Sequence, residues 1–241
     1  MQIAIFLQYL EYERRFSHHT ILAYEKDVTQ FCTFLEETYS LTSVSEVRHF
    51  HVRSWVVELL EQGRSARTIR RKLSTLKTYF RFLLKHGHVA ENPMQKVIVP
   101  QVGKRLPAHV QEEEMAALFE RAEFGEDFAG QRDRTLLEVL YATGMRRGEL
   151  LGLRVQDVDF EQRVIRVFGK GKKERLVPFG VGLHRQLGAY LEVRRATFPG
   201  ATAEHLFLTD KGAKLYPKFV YNTVKRYLSL VTTLEQRSPH V

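Results

Sequence analysis

Residues 65–87 read SARTIRRKLSTLKTYFRFLLKHG, and no aspartate or glutamate occurs between Glu61 and Glu91. At about 100° per residue, Ile69, Leu73, Leu76, Phe80 and Leu84 gather on one side of a helix. Arg64, Arg67, Arg70, Arg71, Lys77, Arg81 and Lys85 gather on the other, and Lys72 stands off that stripe. Such a helix has to bury its apolar side against the rest of its own domain. The cationic side has two readings. Like charges at four-residue spacing repel, and a solvated helix face usually mixes signs. A face of one sign suits a phosphate backbone, where each neutralised phosphate releases a counterion. The other reading is an ordinary charged surface.

The residues before this stretch also carry helical spacing. Leu7 to Arg15 reads as a short helix. Ser17 is placed to cap a second, in which Tyr24, Val28, Phe31 and Leu35 recur at helical spacing. Glu46 to Leu60 reads as a third, with the only tryptophan, Trp55. Ser65 is the N-cap of the basic helix and Gly87 its stop. Asn92-Pro93 and the stretch from Val97 to Pro107 then break the pattern, as a linker would. The spacing therefore divides the chain into an all-helical domain over 1–95, a linker over 96–108 and a second domain over 109–241. In the second, Gln111 to Arg121, Gln131 to Ala142, Leu183 to Arg195 and Lys218 to Leu230 read as helices. Between them VIRVF and ERLVPF are short strands joined by GKGKK, a hairpin signal. The fold class is mainly α, with a small β-hairpin or sheet in the second domain.

The totals narrow the function. A formal net charge of +9 points to a polyanionic partner, nucleic acid or an anionic surface. No apolar run is long enough to cross a bilayer, and the N-terminus lacks the pattern of a signal peptide. The single cysteine, Cys32, excludes an internal disulfide, fits a reducing cytoplasm and falls on the apolar side of its helix. The pairs His49/His51 and His86/His88 have no nearby carboxylate or cysteine ligands, so no metal site is expected.

Two segments suggest chemistry. In LLEVLYATGMRRGELLGL, Thr143-Gly144 ends one helix and another begins near Arg146, with Glu149 one turn on. A guanidinium emerging at a glycine turn can reach a bound anion, and its planar fixed charge suits a phosphoryl transition state. Equally, Arg146 and Arg147 could be surface charges with Glu149 as a local partner. In FGKGKKERLVPF the glycine spacing and following residues do not make a Walker A loop. Lys170 on the hairpin tip could donate a proton in a neighbouring groove, although Gly-Lys-Gly is also a common turn.

Taken in order, these segments resemble the tyrosine recombinase (phage integrase) family, and most closely its bacterial Xer branch. FSHHTILAYEKDVTQFCTFL and GRSARTIRRKLSTLKTYFRFLLKHGHVAENP are similar to its SAM-like core-binding domain. LYATGMRRGELLGL resembles the segment of its first catalytic arginine, VFGKGKKERLVPF its lysine hairpin, and the terminal SPHV the start of its His-x-x-Arg helix. The resemblance implies catalytic roles for Arg146, Lys170 and His240, and DNA-binding roles for Arg64, Arg67, Arg70, Arg71, Lys77 and Arg81. It implies recombination through a 3′-phosphotyrosyl intermediate, without metal or cofactor, on paired duplex DNA sites. It further implies a C-shaped clamp on DNA, assembly as a tetramer with itself or a second recombinase, and a cytoplasmic setting, as in chromosome dimer resolution. The family's second arginine and nucleophilic tyrosine have no match before Val241. Tyr216, Tyr221 and Tyr227 precede His240 and read as positions on the last helix. The expectation is a catalytic domain cut short, binding DNA but not cleaving it. The alternatives are a mobile-element integrase or a non-catalytic DNA-binding protein.

Overall fold

The computed structural model describes residues 2–98, 110–169, 173–199 and 204–232. The chain forms two compact units, Met1–Arg105 and Leu106–Val241. Most of the stretch marked as linker, and the terminal SPHV with His240, lie outside the described residues.

The first unit is helical throughout. Helix α1 (Ile3–Gln8) runs into a π-helical turn at Tyr9–Glu13, and Arg15 follows with a positive φ of 50°. The single helix expected over Leu7 to Arg15 is therefore an earlier helix followed by a widened turn, which seats Leu10 fully in the core. Helix α2 (His18–Tyr39) starts where expected: Ser17 accepts the Thr20 N–H at 3.3 Å. The helix expected from Glu46 begins later, as α3 (His49–Glu61), after a 3-10 turn at Val44–Glu46. The reason is His51, whose Nδ1 accepts the Arg48 N–H at 3.0 Å and fixes the helix start there. Burial and the Arg48 charge hold the His51 imidazole below its ordinary pKa, which keeps it neutral and able to accept.

Helix α4 (Ala66–Lys85) is the basic helix. Ser65 caps it, accepting the Thr68 N–H at 3.3 Å, and Gly87 leaves it at φ 72°, a backbone conformation glycine adopts without strain. Ile69, Leu73, Leu76 and Phe80 are buried as expected, whereas Leu84 is exposed and Leu83 and Tyr79 fill the core in its place. The apolar face is thus rotated slightly towards the side that meets α1, where Phe6 packs edge-on against Tyr79 at 5.0 Å. Cys32 is half-buried, packs against the same core, and burial pushes its thiol up to about 11.

Lys72, off the cationic stripe by spacing, points inward. With Arg71 and Thr75 it converges on Asp27 of α2, a carboxylate only 1% exposed. Lys72 Nζ lies 3.0 Å from Asp27 Oδ1 and 5.6 Å from the ring centre of Trp55, and also meets Gln30. A buried charge costs several kcal/mol to desolvate, and here three donors from one helix meet it.

Among its described residues the second unit has five α-helices and a three-stranded antiparallel sheet. Helices α5 (Glu112–Arg121), α6 (Phe128–Thr143), α8 (Val181–Thr197) and α9 (Pro217–Leu228) match the expected helices, with α6 beginning three residues earlier because Asp127 accepts the Gly130 N–H at 2.9 Å. Helix α7 (Arg147–Gly152) is short. The sheet runs in the order β1 (Val158–Asp159), β2 (Val164–Phe168), β3 (Glu174–Pro178), and β1 is too short to carry a sequence signal of its own. In the β2–β3 register Ile165 opposes Val177 and Val167 opposes Arg175. Ile165 and Val167 enter the core beside Leu136, Leu187, Tyr190 and Val220. Among the described residues no helix is long and apolar enough to cross a membrane.

Asp27→Ala strands the buried Lys72 ammonium, and should destabilise the first unit by about 3–5 kcal/mol. The fall in the urea midpoint can be followed through the emission of Trp55, which lies in the same unit.

Candidate functional site

The cationic face survives in three dimensions. Arg64, Arg67, Arg70, Arg71, Lys77, Arg81 and Lys85 are all exposed. Among the described residues, Arg71 is the one of these in an ion pair: its guanidinium forks onto Asp27, with Nη2 2.9 Å from Oδ1, while half its side chain remains exposed. Arg71 is therefore held in a fixed direction, and among the described residues none of the other six has a carboxylate within ion-pair distance. This arrangement offers a polyanion a row of cations without first breaking ion pairs.

The histidine pairs have structural roles. His51 caps α3, and His86 packs on the Phe82 ring at 4.5 Å. Among the described residues no group of three or more His, Cys, Asp or Glu is arranged to hold a metal ion.

In the second unit the geometry concentrates at the start of α7. Helix α6 ends on Gly144, whose φ of 57° is left-handed and whose N–H still reaches Leu140 O at 3.0 Å. That turn buries Met145 and sends Arg146 outward as the N-cap of α7, its side chain 74% exposed. Glu149, three residues on, reaches back: its Oε2 accepts the Arg146 N–H at 2.8 Å, and its Oε1 lies 3.2 Å from Arg146 Nη1. This reciprocal arrangement fixes both the backbone and one guanidinium nitrogen of Arg146. The two readings of this segment thus coexist, since Glu149 is a local partner and Arg146 still presents its guanidinium to solvent.

Glu149 has a second partner that sequence reasoning missed. Arg175, on β3, meets it with both terminal nitrogens, Nη1 to Oε1 at 3.0 Å and Nη2 to Oε2 at 2.8 Å. The paired fork from Arg175 pulls the Glu149 carboxyl down to about 2 against the opposing effect of its burial, with the Arg146 backbone and side chain adding to the pull. A signal for Arg175 was present. Strand alternation puts Arg175 on the same face as Val177, the half-buried face of β3, and a charge there requires a partner.

The hairpin expected to carry Lys170 is present as β2 and β3, closed by the Gly169 N–H donating to Lys173 O at 2.8 Å. Lys170 itself lies outside the described residues, as does His240. Tyr216 is the N-cap of α9, Tyr221 lies within it, and Tyr227 is buried with its ring stacked on Phe124 at 4.7 Å.

Comparison with known proteins agrees with this architecture. Residues 3–87 match the phage integrase N-terminal SAM-like domain, and residues 108–241 match the phage integrase family. The tyrosine recombinase XerC of Chlorobaculum parvum is 36% identical over 261 residues, covering 98% of this chain and 78% of the relative. XerC of Bacillus subtilis is 32% identical over 242 residues, covering 99% and 79%. Among solved structures, XerH bound to palindromic difH substrate superposes with a TM-score of 0.76 at 22% identity, covering 94% of this chain and 67% of that one. The Tn1549 transposon integrase in complex with circular intermediate DNA gives 0.75 at 19%, covering 99% and 82%. At such identities these structures establish the fold.

Because the folded-state pKa of Glu149 is depressed, its contribution is present above the ordinary value of 4.5 and lost as pH falls towards about 2. Glu149→Gln should therefore be less stable than the parent at pH 7, by on the order of 1–3 kcal/mol. The gap should narrow between pH 4.5 and 2, as read from urea unfolding at pH 7 and pH 3.

Proposed function

Because the chain belongs to the phage integrase family of tyrosine recombinases, we propose that it serves site-specific DNA recombination of the Xer type, cutting and rejoining duplex DNA through a 3′-phosphotyrosyl link. The carrying observation is the Arg146 guanidinium, exposed at a glycine turn and held from behind by Glu149. A fixed fork of this kind stabilises charge on the phosphoryl oxygens as the phosphorus becomes five-coordinate.

In this reading a tyrosine oxygen attacks the phosphorus, the P–O5′ bond breaks, and the departing 5′-oxygen takes a proton from Lys170. His240 assists proton transfer. The phosphotyrosyl link conserves the energy of the broken bond, so a 5′-hydroxyl from another strand can displace the tyrosine without a nucleotide cofactor. The nucleophile follows the histidine segment in the family's chain order. Arg64, Arg67, Arg70, Arg71, Lys77 and Arg81 follow the DNA backbone, fixing position rather than reading bases.

The Xer assignment, over a mobile-element integrase, is supported by relatives named XerC that match almost the full length of this chain at 32–36% identity. It brings with it paired DNA sites, assembly with further copies or a second recombinase, work in the cytoplasm, and a role in chromosome partition at cell division. The domain division at 1–95 and 109–241, with 96–108 as connector, is part of the same proposal.

Two measurements test it. Affinity for duplex DNA should fall steeply between low and moderate salt, and the triple variant Arg67→Ala, Arg70→Ala, Arg81→Ala should flatten the log–log slope by about 3, near 0.9 per phosphate contact. A salt-independent affinity would refute the basic-face reading. In a strand-cleavage assay with a protein that carries the family's nucleophilic tyrosine together with these residues, Arg146→Ala should lower the rate by roughly 10²–10³-fold while leaving duplex affinity nearly unchanged, and an undiminished rate would remove Arg146 from the active site.

A further inference from the structure

The Glu149 carboxylate receives four donors on its two oxygens. Oε1 takes Arg175 Nη1 and Arg146 Nη1, at 3.0 and 3.2 Å; Oε2 takes Arg175 Nη2 and the Arg146 backbone N–H, both at 2.8 Å. That fills the hydrogen-bonding capacity of a carboxylate. Two of the donors come from the start of α7 and two from β3, so the carboxylate clamps the hairpin stem to the turn that presents Arg146. Gly169, directly after β2, closes the same cluster. A β-carbon built on Gly169 would stand 3.4 Å from Glu149 Oε1 and 3.5 Å from Arg175 Nη1.

We propose that Arg175 is a positioning residue for the phosphate site: through Glu149 it fixes the Arg146 guanidinium and ties it to the stem of the β2–β3 hairpin. The inference rests on the reading of Arg146 as the phosphate ligand. Two features of the geometry carry it. Removing Arg175 takes away both donors from β3 and leaves Glu149 to Arg146 alone, so the carboxylate is no longer balanced and competes with a phosphate for the Arg146 guanidinium. And because Arg175 lies opposite Val167 in the β2–β3 register, its fork fixes the height of the stem along α7 as well as its distance. A lysine would keep the charge but deliver a single point of contact in place of a planar fork. The neighbouring hairpin pair Arg166–Glu174, 3.3 Å apart and about half exposed on both sides, touches none of this and serves as the internal control.

The test uses the chain with ¹⁵N-labelled arginine and ¹³C-labelled glutamate, and inorganic phosphate as the probe. In the parent, added phosphate should shift the Arg146 Nε–H resonance, and Glu149 should titrate near pH 2. In Arg175→Ala the apparent Kd for phosphate at Arg146 should rise roughly tenfold, as when outer partners of a bound ion are removed, and the Glu149 titration should move up towards the ordinary carboxylate range. Arg175→Lys should fall between the two and, because it retains the charge, also covers the case in which the alanine variant does not fold. Arg166→Ala should match the parent in both readings. If phosphate moves Arg146 equally in the parent and in both Arg175 variants, Arg175 has no positioning role and the Arg146 reading stands. If phosphate leaves Arg146 unmoved in the parent, both fall together.

Discussion

A carboxylate withdrawn from water must be met by positive charge and hydrogen bonds, or the fold loses several kcal/mol. Each unit of this chain contains such groups, and two of them meet cations described above: Asp27 and Glu149. In the first, Asp27 of α2 gathers Arg71, Lys72 and Thr75 from successive turns of α4, which fixes how α4 is rotated about its own axis. In the second, Glu149 gathers Arg146 from its own helix start and Arg175 from the sheet. In both places the acid sits inside and holds a cation whose side chain reaches the surface, Arg71 in the first unit and Arg146 in the second, while Lys72 stays buried beside Asp27.

That division of labour explains how a strongly cationic helix can be stable at all. Six exposed cations along α4, with Arg64 just before it, repel one another and, among the described residues, receive close compensation at Arg71 only. Burial of Ile69, Leu73, Leu76, Tyr79, Phe80 and Leu83 supplies the opposing drive, at about 25 cal/mol per Å² of apolar surface removed from water. A polyanion lying along such a face would relieve that repulsion.

Much of this was legible in the sequence. Caps at Ser17 and Ser65, the stop at Gly87, the turn at Gly144 and the strands VIRVF and ERLVP all follow from local chemistry that the structure repeats. What escaped depends on partners distant in sequence. Nothing near Lys72 announces Asp27, 45 residues away, and nothing near Arg175 announces Glu149, 26 residues away. Leu84 and Leu83 exchange roles because helical spacing gives the width of an apolar face but not its final rotation, which α1 decides through Phe6 and Tyr79. The late start of α3 depended on a histidine acting as a cap, a role that spacing alone does not reveal.

The pairing of Arg175 with Val167 also bears on how hairpins of this kind can diverge or be redesigned. Within β3, alternation sets which side chains face inward, so Arg175 and Val177 share one face and Glu174 and Leu176 the other. A deletion of one residue within the stem reverses this. It turns Arg175 to the outer face and brings Glu174 or Leu176 to Glu149, a carboxylate or a methyl group where a guanidinium is required. A change of one residue in the length of the stem therefore exchanges its inward-facing side chains for its outward-facing ones.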